Sequence, residues 1–212
     1  AEMNEGGNPK NIASIYDQYD DATKGFVNYG NYLSASGEQP SVTNGTGSVL
    51  FTDASGTEQI NFASGTTIYV KVDDTDQNAD VNAAETVTVT VVSESDATGE
   101  TVTLTETGVS TGIFLGSVSA SLTATSGDIL TATYVDPLDD FGNEVTLTDE
   151  AYYNVTLLSG SYTGNVTWSA SSSPFLVTGD VTIGTSESTG SLTIDPGVEV
   201  RFLSTTNISQ SG

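Results

Sequence analysis

Two short runs limit what this chain can become more than anything else in it. Thr86-Val87-Thr88-Val89-Thr90-Val91 and Thr101-Val102-Thr103-Leu104-Thr105 alternate a β-branched polar residue with an apolar one. A period of two places every apolar side chain on one face of a strand and every threonine on the other. The same alternation returns at Ile68, Val70 and Val72, and strand patterns also cover 48–52, 112–120, 128–135 and 145–157. Helical periodicity is nearly absent, and Thr, Ser, Gly and Val are abundant. The expectation is an all-β fold, with seven short strands and turns at the spacing of an immunoglobulin-like β-sandwich over 42–158.

The flanks read differently. Residues 1–41 open with Asn4-Glu5-Gly6-Gly7-Asn8-Pro9 and continue into a tyrosine-rich stretch. Ile12, Ile15, Tyr16 and Tyr19 have the spacing of one short helix, and Gly25, Gly30 and Gly37 argue against a longer one. The region reads as an N-terminal arm that docks onto its own domain or a neighbour. Residues 159–212 form short rungs between turns, including Leu192, Ile194, Val198, Val200 and Phe202 around Asp195-Pro196-Gly197. This is a β-solenoid-like or strand-exchanging segment, and such a rung needs stacked neighbours to bury its face.

Charge narrows the function classes. Four basic residues face 28 acidic ones, for a net charge of −24. Nucleic acid and anionic membranes are unsuitable partners, because both require clustered cations. No apolar run reaches the length that spans a bilayer, so membrane insertion is not expected. The absence of cysteine and histidine removes disulfides, thiolate and imidazole metal sites, and Ser-His-Asp or Cys-His catalysis. Paired carboxylates could in principle hydrolyse glycosides, but nearly all the acidic residues sit in turns, and no enzyme is expected.

The acidic residues are not evenly spread. Asp73, Asp74, Asp76, Asn78, Asp80 and Asn82 put hard oxygen donors on nearly every second residue between two strands. If consecutive strands reverse, this loop shares one pole with Glu106 and with Asp136, Asp139, Asp140, Asn143 and Glu144. Like charges gathered at one pole repel unless a cation lies between them. Ca²⁺ takes six to eight oxygens in irregular geometry. The spacing matches part of an EF-hand loop but lacks its glycine and closing glutamate, so a calcium-stiffened sandwich loop is expected in preference to a solvated acidic turn.

Two stretches carry resemblances. Gly65 to Asp74 with the Asp/Asn loop, Glu100-Thr101-Val102-Thr103-Leu104-Thr105-Glu106-Thr107-Gly108, Thr111-Gly112-Ile113-Phe114 and Gly127 to Tyr134 with Asp136-Pro137 resemble an immunoglobulin-like, calcium-binding repeat module of prokaryotic surface proteins. Thr167-Trp168-Ser169-Ala170, Ser173 to Ile183 and Leu192 to Val198 are similar to the opening coil of right-handed parallel β-helix surface proteins. The resemblances imply an extracellular, cell-surface setting and a structural or adhesive role.

The leading expectation is a secreted structural subunit of a surface filament, stalk or coat. It would join copies of itself head to tail by strand addition and be stiffened by calcium. The alternative is an adhesion or carbohydrate-binding module presenting Tyr152, Tyr153, Tyr162 and Trp168 to surface glycans. Asn44, Asn154, Asn165 and Asn207 begin N-glycosylation sequons.

Overall fold

A computed structural model describes residues 45–119, 121–184, 189–203 and 206–210. The N-terminal arm and the sequon residue Asn44 lie outside the described residues. The chain is all-β, as the alternation requires. Eight strands form one sheet: β1 (Ser48–Thr52), β2 (Asn61–Phe62), β3 (Tyr69–Asp73), β4 (Thr86–Ser93), β5 (Asp96–Glu106), β6 (Ile113–Ser117), β7 (Ile129–Asp136) and β8 (Val145–Tyr153). They run in the order β1-β3-β6-β5-β4-β7-β8-β2.

The sheet curls because its inward faces are apolar and its outward faces are not. Val87, Val89 and Val91 of β4 point inward, between exposed Thr86, Thr88 and Thr90. Val102 and Leu104 of β5, and Leu130, Ala132 and Tyr134 of β7, obey the same alternation. With Val49, Phe51, Val70, Val72 and Phe114 they make one core. Each fully buried side chain of this size contributes on the order of 1.5–3 kcal/mol. Closure brings β1 back to β8, where the Phe51 amide donates to Asp149 Oδ2 at 2.7 Å. Phe51 and Phe62 meet edge to face across the seam, with centroids 5.9 Å apart. The two layers of the sandwich are thus halves of one hydrogen-bonded path.

A second core begins after Asn154, which turns the chain at φ 52°. The remaining strands are β9 (Thr156–Tyr162), β10 (Asn165–Trp168), β11 (Phe175–Ile183), β12 (Ser191–Ile194), β13 (Val200–Phe202) and β14 (Ile208–Gln210). All their pairings are parallel: β9 with β11, β11 with β13 and β14, and β10 with β12. Leu158, Trp168, Phe175, Val177, Val181 and Ile183 fill the interior, so the change of core falls a few residues before 158. Trp168 stacks on Phe175 with centroids 5.4 Å apart. The two bodies are stitched at Asn61, whose side chain pairs with both backbone groups of Val155 at 3.0 and 3.1 Å. Arg201 adds a bond to the Gly127 carbonyl. No helix among the described residues is long and apolar enough to cross a membrane.

Candidate metal centre

Strand alternation delivers the first candidate ligand. In β7 the inward positions are Leu130, Ala132, Tyr134 and Asp136, so the last one places a carboxylate where a core residue would stand. Asp136 is 0% exposed. The second ligand comes from a break in alternation. Asp73 ends β3 facing solvent, and Asp74 turns inward, 2% exposed, to cap the short 3₁₀ turn Thr75–Gln77. Asp76 on that turn supplies the third. One oxygen from each of Asp74, Asp76 and Asp136 lies within 4.8 Å of the other two, and all three carboxylates are buried. Asp76 keeps part of its residue surface exposed.

Donors surround the group but do not neutralise it. Tyr134 Oη donates to Asp74 Oδ2 at 2.7 Å, and the Asp76 amide to Asp74 Oδ1 at 3.3 Å. The incoming chain contributes the Gly47 amide to Asp136 Oδ2 at 2.8 Å and the Gly45 amide to Asp76 Oδ2 at 3.5 Å. The Leu138 amide reaches Asp136 Oδ1 at 2.9 Å, and Gln77 Nε2 reaches Asp76 Oδ1 at 2.8 Å. Gly47 has little room for a side chain, since a Cβ there would come within 3.0 Å of Asp74 Oδ2. Among the described residues the only side-chain ion pair is between Arg201 of β13 and Glu199, and it involves none of these carboxylates.

Asp74 lies buried beside two other carboxylates with no basic partner among the described residues. Burial pushes the Asp74 carboxyl up to about 7, and the neighbouring Asp76 and Asp136 add to the rise against the opposing Tyr134 hydrogen bond. Burial and the Asp74 anion hold the Tyr134 hydroxyl well above its ordinary range. Oxygen-only donors with this much unbalanced charge could hold a metal ion.

The other candidates are spent elsewhere. Asp73, Asp80, Asn82, Asp140, Asn143 and Glu144 are exposed. Asp80 Oδ1 closes its own turn by accepting from Asn82 N and Nδ2. Asp139 does the same with the Phe141 and Asn143 amides, both at 2.8 Å, and the Asn143 amide is the main cause holding its carboxyl below the usual range. Asp140 exchanges hydrogen bonds with Thr46. Glu106 faces inward but accepts from the Thr111 and Gly112 amides at 2.5 and 2.7 Å. Burial alone would raise its carboxyl, and hydrogen bonds from the Gly112 and Thr111 amides and from Glu85 together outweigh it and leave it lowered. Asn78 donates to Ser110 Oγ at 3.1 Å.

Tyr134 and Gly47 escape a reading based on acidic residues. Tyr134 could have been found from its place two residues before Asp136 on the same strand face; the Gly47 contact has no local signal. Trp168 is 2% exposed, and Tyr152, Tyr153 and Tyr162 are half-buried, so these rings form no open strip. Asn154 is committed to Ser126 Oγ and the Ser64 amide, while Asn165 and Asn207 are exposed. No family model matches the chain, and no curated protein matches it significantly.

Proposed function

We propose that this chain is a structural module of an extracellular, cell-surface assembly, resembling the immunoglobulin-like repeat modules of prokaryotic surface proteins, in which calcium locks the acidic pole. The observation that carries the reading is the composition of the triad. Asp74 and Asp76 follow β3, Asp136 ends β7, and the amides of Gly45 and Gly47 reach the same carboxylates. A cation there would tie the incoming chain to two strands that are not adjacent in the sheet. Calcium suits the donor set better than magnesium, which demands near-ideal octahedral geometry and keeps its waters. The resulting stiffness at the point where chain enters the sandwich is what a load-bearing module requires.

The second core supports self-association. β13 and β14 pair along one edge of β11, and their far edges pair with no strand among the described residues. An open parallel edge accepts an added strand from another copy, giving head-to-tail growth. Negative-stain microscopy in millimolar CaCl₂ and in EGTA at matched ionic strength tests the reading. Regular filaments in calcium that shorten or vanish in EGTA are the expected result. Monodisperse particles in both conditions would refute the assembly role.

A further inference from the structure

One apolar side chain stands apart from the rest of the surface. Phe141 is 86% exposed, and among the described residues no other large apolar side chain exceeds 52%. It sits at the tip of the turn 139–143, at the acidic pole. That turn is braced from within. Asp139 Oδ1 accepts from the Phe141 and Asn143 amides, the Gly142 amide donates to the Asp139 carbonyl, and the Asp139 amide donates to the Asn143 carbonyl, all at 2.8 Å. Asp140 ties the turn to Thr46, and the Leu138 amide ties its base to Asp136. A bare aromatic ring on a braced turn loses little freedom when a partner covers it, so it is a preorganised anchor.

The opposite end of the sandwich holds a socket. A cavity of about 350 Å³ has Ile68 and Val118 of the core as its floor, Leu122, Ala124 and Tyr153 as its walls, and Thr67 on its exposed rim. Every lining segment lies at the far end of a strand from the acidic pole. Residues 65–68 precede β3, 118 and 119 follow β6, 122 and 124 precede β7, and Tyr153 ends β8. The eight residues of β7 set the separation of the two ends, roughly 26 Å at about 3.3 Å per residue. Among the described residues, none that lines the socket is charged and none belongs to the second core. Its volume is at the lower end of the range for ligand pockets, about 300–1,000 Å³, which suits a single aromatic ring.

The anchor and the socket are at opposite ends of one copy, so they can meet only between copies. An apolar protrusion that fits a pocket elsewhere on the same molecule makes a heterologous contact, which does not close on itself and grows into a fibre. The uncharged lining matters in a chain of net charge −24, because carboxylates there would repel Asp139 and Asp140 beside the anchor. We propose that Phe141 of one copy docks in the socket over Ile68 and Val118 of the next copy. This contact rests on the self-assembly reading above, gives it an anchor residue, and is separate from the open edge of the second core. The turn that carries Phe141 begins next to Asp136, so an ion in the triad would steady the anchor as well.

The chain contains no cysteine, so single introduced cysteines report the contact cleanly. Asp140→Cys beside the anchor and Thr67→Cys on the socket rim, one of the two proteins tagged, are mixed in millimolar CaCl₂ with a short bismaleimide. A crosslinked heterodimer is the expected result. Adding Phe141→Ser to the Asp140→Cys protein should slow that crosslink about tenfold or more, as losing a central aromatic anchor does. An unchanged rate overturns the proposal. Circular dichroism confirms the fold of each variant, and Glu144→Cys replaces Asp140→Cys if the latter loosens the turn. Microscopy of wild type and Phe141→Ser separates this contact from the assembly role. Filaments in both, with an unchanged crosslinking rate, remove the socket contact and leave self-assembly standing. Monodisperse wild type with Phe141-dependent crosslinking keeps the contact and removes the filament, and the absence of both overturns both.

Discussion

Replacing Asp74 by asparagine should stabilise the protein without calcium and destabilise it with calcium. The substitution keeps shape and removes one buried charge from a group of three. A carboxyl moved from its ordinary 3.8 to about 7 carries a penalty on the order of 4 kcal/mol for its charged form, at about 1.36 kcal/mol per pH unit. Part of that is lost with the charge-assisted bond from Tyr134, which is about 2.7 Å long and worth roughly 1.5–3 kcal/mol. A net gain of about 2 kcal/mol remains, or roughly 4–8 °C in Tm for a chain of this size. In calcium at about 100 times its Kd, wild type gains about 2.7 kcal/mol that the variant cannot match. The order of the two melting temperatures should therefore reverse between EGTA and CaCl₂ at pH 7.5 and equal ionic strength. Equal destabilisation in both buffers would refute the reasoning, because it would make Asp74 an ordinary hydrogen-bonding residue.

The remaining predictions concern the same pole and the second core. Because the folded Asp74 carboxyl titrates above its unfolded value, its contribution is full below about pH 4 and is lost as pH rises towards 7. Urea titrations in EGTA should thus show greater stability at pH 5.5 than at 7.5, and millimolar calcium should flatten or reverse that trend. Further acidification should destabilise, since Glu106 and Asp128 sit below their ordinary range and lose their contribution when protonated. Gly47→Ala forces a methyl against Asp74 Oδ2; it should lose about 1–3 kcal/mol and weaken calcium binding in a calorimetric titration with CaCl₂. Trp168→Ala removes the ring stacked on Phe175 and should cost about 3–5 kcal/mol. Hydrogen exchange should find that loss in β9–β14 and leave β4, β5 and β7 protected, because the two cores are separate.

Much of the fold was legible because period-two alternation is a local signal. Val87-Val89-Val91 and Leu130-Ala132-Tyr134 declare their faces without help from distant residues. The convergence of three acidic loops at one pole followed from strand reversal alone. Picking out the three carboxylates that converge from among twelve candidates was harder, for two physical reasons. Direction depends on strand phase: it turns Asp136 inward, and it leaves Asp73 outside while Asp74 breaks inward to cap a 3₁₀ turn. Competition from the backbone also removes candidates, since Asp80 and Asp139 each close a turn and Glu106 is taken by two amides. Turns such as Asp139-Asp140-Phe141-Gly142-Asn143 advertise that use, as an aspartate before a glycine tends to bond its own backbone.

The central claim is that a calcium ion sits among Asp74, Asp76 and Asp136. Anomalous diffraction from crystals grown in calcium, or soaked in a lanthanide of similar size, tests it most directly. The account predicts a peak about 2.3–2.6 Å from oxygens of all three carboxylates, with the Gly47 amide still on Asp136. Featureless density between these carboxylates in millimolar calcium at neutral pH would contradict it.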